Sequence, residues 1–214
     1  YCGAEFEPIN TSTGNYYYSA SDLSLPGVGP ELALSRTYNH QDAENNNVFG
    51  HGWTSSFSMS LRYDPEGVMT ALYPDGRRVS FAPDGEGGYL SPGDVKDVLT
   101  TGPGGGFCLT SLDRSVTCFD ENGRLTSRAD RYGNALGLAY DEESLLTTVT
   151  APGERWISLS YDGSHVTTAT DSAGREVTYS YSEAGDLVGV CDPGGATTTY
   201  VYDSLHRVVS VASA

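Results

Sequence analysis

Apolar and small or polar residues alternate at every second position along much of the C-terminal half of the chain. Reading back from Tyr140, apolar side chains fall at Leu138 and Leu136, whereas Ala139 and Gly137 between them are small. Successive side chains of a strand point to opposite faces of a sheet, so this period of two predicts β-strands with one apolar face. Helical spacing does not fit. Three later stretches repeat the pattern: Ile157, Leu159 and Tyr161; Val177, Tyr179 and Tyr181; Thr198, Tyr200 and Tyr202.

An aromatic residue, usually followed by Asp, ends each stretch and returns after about 21 residues, which is the signature of an internal repeat. These pairs are Phe119-Asp120, Tyr140-Asp141, Tyr161-Asp162, Tyr181-Ser182 and Tyr202-Asp203. Glycines mark the half-period, at Gly133, Gly153, Gly174 and Gly195. Two independent features with one period predict that each unit is a β-hairpin with two turns.

The repeats predict an all-β fold, in which repetitive antiparallel β-hairpins form a curved or spiralling open sheet. One hairpin is only marginally stable in water, so neighbouring units have to support each other. We expect the repeat tyrosines to pack in columns on the buried face, and the half-period glycines to lie in turns. An Asp beside a turn can accept hydrogen bonds from backbone N–H groups, so the repeat aspartates are interpreted as structural rather than catalytic.

The pattern divides the chain into three parts. Residues 1–60 are predicted to form an N-terminal β module, with a Pro/Gly turn at Leu25–Pro30 and with Trp53 in the core. Residues 61–118 predict irregular β-hairpins, and residues 119–214 hold the repeats of about 21 residues. The glycine-rich stretch TTGPGGGF lacks the Gly-Lys-Ser/Thr ending of a phosphate-binding loop, so it is interpreted as a long turn.

Composition disfavours two classes of function. The chain has 214 residues, 26 Gly, 10 Pro and a formal net charge of −16. An acidic surface repels phosphate backbones and the chain has no Lys-rich run, so nucleic-acid binding is disfavoured. No apolar run approaches the roughly 18 residues of a membrane span. The first residues, YCGAEFEPIN, suggest an excised or processed fragment, so the missing leader carries no information about export.

Four cysteines lack the C-x-x-C spacing of a zinc ribbon: Cys2, Cys108, Cys118 and Cys191. Cys108 and Cys118 flank the stretch LTSLDRSVT, which is typical of a hairpin, so the two residues could face each other across it. A cross-strand disulfide and two buried thiols are the alternatives that this placement leaves open.

Units of the YDxxGRL type follow three distinctive segments, TSTGNYYYSASDLSLPGVGPELALSRTYN, FGHGWTSSFSMSL and YPDGRRVSF. Together they resemble the Rhs/YD-repeat protein family, in which such a module precedes the repeats of bacterial Rhs and wall-associated proteins. The resemblance covers nearly the whole chain. Three places depart from the family pattern: Glu142–Ser144 lacks the usual Gly, the unit YDGSHV is shortened, and Ser182 stands where Asp is expected.

The resemblance implies a structural function. Similar proteins wind a β-hairpin ribbon into a hollow shell that encloses a C-terminal toxin or effector, and animal teneurins use a related shell in adhesion. For this chain it implies a non-catalytic part of such a shell, with the rest of the shell and a C-terminal effector as partners. It also implies a bacterial secreted or cell-surface location and no cofactor. The alternative is a cell-surface adhesion or carbohydrate-binding module with a glycan or protein ligand.

Candidate chemistry is sparse. The histidines at positions 40, 51, 165 and 206 are dispersed, and His206 is expected in a turn at the surface. No catalytic nucleophile motif and no calcium-loop ligand series is visible, so no metal site is predicted. A carboxylate pair for glycoside hydrolysis is the enzymatic alternative, because the distance between carboxylates cannot be read from sequence. The open strand edges predict self-association through dimers or exchanged strands.

Overall fold

The computed structural model describes residues 9, 10 and 15–213, and their regular structure is β-strand apart from two single 3-10 turns. These turns lie at His40–Asp42 and Pro103–Gly105. In the described residues no helix is long and apolar enough to cross a membrane. The all-β class predicted from the period of two is confirmed.

Six strands belong to the N-terminal part: β1 (Ile9–Asn10), β2 (Asn15–Leu25), β3 (Leu32–Asn39), β4 (Asn46–Asn47), β5 (Gly50–His51) and β6 (Trp53–Ser55). They form a four-stranded sheet in the order β1-β2-β3-β6 and a two-stranded ribbon, β4-β5. Along β3 every second residue is buried, namely Leu32, Leu34, Arg36 and Tyr38. The period of two therefore places a cation among three apolar or aromatic residues on the core face.

Four further strands form a second sheet: β7 (Ser60–Tyr63), β8 (Met69–Leu72), β9 (Arg78–Pro83) and β10 (Tyr89–Leu90). Consecutive strands pair in an antiparallel meander, in the order β10-β9-β8-β7. The buried side chains of this sheet join those of the next strands in one apolar core. The members of that core are Met59, Leu61, Met69, Ala71, Val79, Phe81, Leu99, Leu109, Phe119 and Leu125.

The remaining strands are β11 (Val98–Thr101), β12 (Phe107–Thr110), β13 (Val116–Phe119), β14 (Leu125–Ala129), β15 (Ala135–Tyr140), β16 (Leu146–Ala151), β17 (Arg155–Asp162), β18 (His165–Asp171), β19 (Glu176–Tyr181), β20 (Leu187–Cys191), β21 (Thr197–Tyr202) and β22 (Val208–Ser213). They form one twelve-stranded sheet in chain order. Its first and last strands, β11 and β22, are not paired with each other, so the sheet is open. The predicted open sheet of consecutive antiparallel hairpins is confirmed.

The chain divides into two compact units, each built from discontinuous segments. Unit 1 comprises residues 1–23, 33–56 and 159–214, and unit 2 comprises residues 24–32 and 57–158. Each unit therefore combines N-terminal residues with part of the repeats. The three-part division at residues 60 and 118 describes the sequence pattern and stays a prediction.

One five-residue turn recurs at both ends of the hairpins. In its first repeat copy, Asp120 Oδ1 accepts hydrogen bonds from the N–H groups of Asn122 (3.0 Å) and Arg124 (2.8 Å). Gly123 N donates to Asp120 O, and Asp120 N donates to Arg124 O. The same backbone bonds close the turns that begin at Asp130, Asp141, Asp171, Ser182, Asp192 and Asp203. In most units the half-period in the sequence therefore reflects one turn type that is used at both ends of the hairpin.

The fourth residue of this turn has a positive φ, which Gly adopts without strain. Ser144 takes this position with φ +67° and His206 with φ +60°, so the turn also accepts these residues. At Ser182, which replaces the usual Asp, the hydroxyl accepts from Asp186 N at 3.1 Å. The departures from the family pattern at these turns therefore leave the turn geometry intact.

A β-bulge lies opposite the repeat aromatic in several units. The strand register shifts immediately before Phe119, Tyr140, Tyr181 and Tyr202. Phe119 is buried, but the three tyrosines and Tyr161 are only partly buried. The repeat tyrosines are thus partly rather than fully buried, whereas Tyr179 and Tyr200, two positions earlier in their strands, are buried.

The hydroxyl groups of three repeat tyrosines bond to the backbone of the preceding strand. Tyr140 Oη donates to Leu125 O at 2.7 Å. Two later units repeat this bond with the same sequence separation: Tyr181 Oη to Val166 O and Tyr202 Oη to Leu187 O, both at 2.8 Å. Each such hydroxyl thus fastens its strand to the backbone of the strand before it. This contact needs Tyr rather than Phe and was not foreseen from the pattern.

Candidate functional site

A buried ion pair in unit 1 connects the N-terminal strands to the repeats. Arg36 on β3 and Asp22 on β2 have side chains that are 1% and 4% exposed. Arg36 Nε donates to Asp22 Oδ2 at 2.5 Å and Nη2 donates to Oδ1 at 2.8 Å, the two-pronged geometry that strengthens such pairs. Tyr179 on β19 also donates its hydroxyl to Asp22 Oδ2, at 2.8 Å. One carboxylate thus holds two N-terminal strands and a repeat strand together.

The Arg36 cation also contacts two aromatic rings. Its Cζ lies 4.9 Å from the ring centroid of Trp53 and 5.4 Å from that of Tyr179, within the range of cation–π attraction. Burial acts to lower the pKa of Arg36, but the adjacent Asp22 carboxylate outweighs it, so the pKa is raised. Burial and Asp22 both raise the pKa of Tyr179. Arg36 therefore stays charged, and Tyr179 stays a hydrogen-bond donor.

Trp53 extends this contact towards the last repeat hairpin. Its Nε1 donates to Tyr202 Oη at 2.8 Å, and its ring meets the ring of Tyr200 edge-on with centroids 5.1 Å apart. Tyr38 packs on the other side, with its centroid 5.5 Å from that of Trp53. The Trp53 side chain is fully buried, as expected from the sequence. The rings of the repeat tyrosines Tyr200 and Tyr202 thus contact N-terminal aromatic residues.

We call Asp22, Arg36, Trp53, Tyr179 and Tyr202 the aromatic–ionic seam. Most of its polar atoms bond to each other or to backbone. Arg36 Nη1 and the neighbouring Tyr200 Oη are buried and have no hydrogen-bond partner in the part of the chain that the structure describes. A buried unpaired polar group costs about 1–3 kcal/mol, so these two atoms offset part of the stability that the other seam contacts contribute.

The loop between β4 and β5 adds a backbone contact to the same repeats. Val166 N donates to Val48 O at 2.9 Å, which places the loop beside β18. Gly50 has φ +92°, and a Cβ there would lie 2.8 Å from Gly185 O. Two backbones approach closely at this point, so both the conformation and the space require Gly.

Three of the four histidines lie in this region rather than apart. The rings of His51 and His206 stack with centroids 3.7 Å apart and an interplanar angle of 8°. His206 Nδ1 donates to Asp186 Oδ1 at 2.8 Å, and His165 Nε2 donates to Asn46 Oδ1 at 2.9 Å. Burial, with His51 nearby, lowers the pKa of His165. His206 lies in a turn, as expected, and its side chain is 31% exposed while it stacks on His51 and bonds to Asp186.

These histidines do not form a metal centre. Within residues 9, 10 and 15–213, no group of three or more His, Cys, Asp or Glu side chains is arranged to hold a metal ion. The stacked pair instead joins an N-terminal strand to the turn after β21. The contact is therefore one more structural link inside unit 1.

Arg155 makes a comparable link inside unit 2. Its Nη1 donates to Leu25 O at 2.8 Å, its Nη2 to Val28 O at 2.5 Å and its Nε to Pro152 O at 3.0 Å. The guanidinium therefore spans the N-terminal Pro/Gly turn and the turn before β17. In the sequence Arg155 looks like an ordinary turn residue, and nothing in the pattern signals this contact.

The structure joins Cys108 and Cys118 in a disulfide. The two residues are direct partners in the register of β12 and β13, with their Cα atoms 4.1 Å apart. Of the two alternatives left by the sequence, the structure thus contains the cross-strand bridge. Cys191 is a free, partly buried thiol, and Cys2 lies outside the described residues.

The repeat positions predicted from the sequence lie at strand ends and in turns. Asp120, Asp141 and Asp203 each accept hydrogen bonds from turn N–H groups, and Asp162 ends β17. The side-chain bond to Arg207 and the turn N–H groups lower the pKa of Asp203 to about 2. The half-period glycines all have positive φ: Gly133, Gly153, Gly174 and Gly195.

Two family matches agree with this architecture. Residues 6–81 match the family described as Domain of unknown function (DUF6531), and residues 181–214 match RHS Repeat. The second match contains the hairpin of β21 and β22, whose aromatic and turn residues are described above. The resemblance to the Rhs/YD-repeat family, drawn from the motifs, is confirmed.

The chain is also similar to three Bacillus proteins over 140 residues, or 65% of its length. It is 35% identical to tRNA nuclease WapA of Bacillus subtilis strain 168. It is 34% identical to tRNA(Glu)-specific nuclease WapA of Bacillus subtilis subsp. natto and to tRNA3(Ser)-specific nuclease WapA of Bacillus spizizenii. The matched region spans only 6% of each relative.

Proposed function

We propose that this chain is a structural, non-catalytic part of a YD-repeat β-shell that encapsulates a C-terminal toxin or effector of a bacterial secreted or cell-surface protein. The observation that carries the proposal is the aromatic–ionic seam. In this seam the buried charge of Arg36 and the large aromatic side chain of Trp53 contact repeat strands and hold them in place. Buried side chains with such contacts favour a structural role over a catalytic one.

The physical need for such a seam follows from the repeat. A hairpin array is stable only through contacts between neighbours, and its first and last strands are exposed edges. The tyrosine hydroxyls stabilise the contacts between neighbouring strands of the array. The seam joins the array to the N-terminal strands. Both features favour a rigid sheet that can enclose a second domain.

The similarity to WapA proteins supports an effector beyond this region. Their names assign them tRNA nuclease activity, whereas the similar segment is a small fraction of each protein. We infer that the nuclease part of such proteins lies outside the segment that resembles this chain. By this inference the chain contributes containment, and a separate segment of the longer protein contributes the activity.

The proposal is tested on the longer protein that contains this chain. Limited proteolysis with chymotrypsin is followed by mass spectrometry, comparing the C-terminal segment inside the whole protein with the same segment produced alone. We expect the segment to be protected in the whole protein and to become accessible when Trp53→Ala opens the seam. Tyr132→Ala is the matched control, because Tyr132 is 74% exposed and lies outside the seam.

Two outcomes would contradict the proposal. One is equal cleavage of the C-terminal segment in the whole protein and alone, which would mean that nothing encloses it. The other is turnover of tRNA or a glycoside by the purified chain of 214 residues. A Trp53→Ala protein that unfolds completely is recognised by loss of its β-sheet circular dichroism, and Tyr202→Phe then replaces it as the milder seam variant.

A further inference from the structure

A cavity of about 450 Å³ lies in unit 2, and none of its lining residues belongs to the aromatic–ionic seam. It forms where the sheet of β7 to β10 meets the first strands of the twelve-stranded sheet. Leu61 N donates to Gly123 O at 2.8 Å, which brings β7 against the turn after β13. The volume falls within the usual range of small-ligand sites, about 300–1,000 Å³.

Aromatic side chains form the walls of this cavity. Tyr89 and Phe107 meet edge-on, with ring centroids 6.0 Å apart and an interplanar angle of 77°. Tyr63, on β7, is 66% exposed and is the most exposed aromatic side chain of the cavity lining. The most buried lining side chains are Leu61 and Met69, at 3% and 2% exposure, so the closed end of the cavity is apolar.

Polar side chains line the open end. Thr101, Glu121 and Asn122 are exposed and border the cavity, and they supply a hydroxyl, a carboxylate and an amide. A second cavity of about 380 Å³ shares Glu121 and Asn122 and is bordered by Arg124. The two cavities therefore border the same carboxylate and amide.

We propose that these cavities bind an uncharged saccharide that carries an N-acetyl group. The C–H face of a sugar ring packs on an aromatic ring, while its hydroxyls bond to the carboxylate and amide at the mouth. The acetyl methyl group fits the apolar end at Leu61 and Met69. A chain with a net charge of −16 repels acidic sugars, so the proposed ligand has no acidic group. This inference does not depend on the proposed shell function.

The test compares two disaccharides that differ only at the acetamido groups. The chain of 214 residues is titrated with di-N-acetylchitobiose and with cellobiose, and binding is followed by isothermal titration calorimetry and by NMR. We expect di-N-acetylchitobiose to bind at least about fourfold more tightly, which is what burying one methyl group contributes. Glucuronic-acid disaccharides and tetramethylammonium serve as the charged probes.

Variants locate the binding site. Tyr63→Ala is expected to weaken binding about fivefold or more, because it removes the accessible ring of the cavity. Glu121→Gln keeps the size of the side chain and is expected to weaken binding less. Tyr132→Ala is the matched control, since this exposed tyrosine of the same unit lies outside the cavity, and its affinity should equal that of the unaltered chain.

Several results would overturn the inference. These are equal affinity for the two disaccharides, tighter binding of the glucuronic-acid probe or of tetramethylammonium, and no binding at concentrations on the order of 10 mM. Equal losses in Tyr63→Ala and Tyr132→Ala would place any binding elsewhere and would also overturn it.

Discussion

Replacing Arg36 by Met removes the cation from the aromatic–ionic seam and leaves the Asp22 carboxylate buried. Methionine keeps most of the volume of the side chain, so the change tests charge rather than packing. Asp22 would retain only the hydroxyl of Tyr179 as a partner among the seam contacts described above. A buried carboxylate without its cation is expected to destabilise the fold strongly.

The magnitude follows from the burial of the pair. Both side chains are at most 4% exposed, so solvent screens the charge little. Removing one partner of such a pair costs about 3–5 kcal/mol, a large fraction of the roughly 5–15 kcal/mol that stabilises a typical domain. Replacing both residues, as Arg36→Met with Asp22→Leu, removes the uncompensated charge. The double variant should therefore be more stable than Arg36→Met alone.

Equilibrium unfolding in urea at neutral pH, followed by tryptophan fluorescence, measures these losses. Trp53 lies 4.9 Å from the Arg36 cation, so its emission reports on the seam directly. Arg207→Met is the control, since its pair with Asp203 is exposed and should contribute far less. A loss below about 1 kcal/mol for Arg36→Met, or a double variant as unstable as the sum of the single ones, would refute the reasoning.

Three further predictions concern the repeat itself. Gly123→Ala should lower the free energy of unfolding in urea by about 2–5 kcal/mol, because Gly123 has a positive φ and the added Cβ would lie 2.1 Å from Leu61 O. Gly133→Ala is the control: Gly133 also has a positive φ but has open space around it, so the loss should be about 1–2 kcal/mol. Equal losses in the two variants would contradict this prediction. Tyr140→Phe removes the hydrogen bond to Leu125 O and should lower the free energy of unfolding by about 1 kcal/mol. Burial raises the pKa of Tyr140 to about 12, so the contribution of this tyrosine to stability should be lost in the unaltered chain as the pH rises from 10 to 12. An alkaline unfolding profile that is the same in Tyr140→Phe would argue against this. The pKa of Asp203, lowered to about 2, predicts a contribution to stability that is present above pH 3.8 and lost as the pH falls to 2; an acid unfolding curve identical in Asp203→Asn would exclude it.

The repeat and its hairpins could be predicted from the sequence because their causes are local. A period of two needs only side-chain alternation, and the turn needs Asp and a residue that tolerates positive φ within five positions. The pattern did not predict the register shift at the repeat aromatics, where the strand that follows carries one extra residue, as in the change from Ala139–Thr148 to Tyr140–Leu146. Alternation counted along one strand contains no information about the register with its neighbour.

The sequence by itself determined the fold class, the open meander and the turn chemistry of this protein. It also contained a signal for Arg36, which occupies an inward position of the alternation in β3, although the pattern alone does not say what neutralises it. Only the tertiary structure decided that Asp22 and Tyr179 meet this cation, that His51 stacks on His206, and that a cavity opens between two sheets. These contacts join residues far apart in the chain, and they depend on how strands from separate segments pack, which no local pattern encodes.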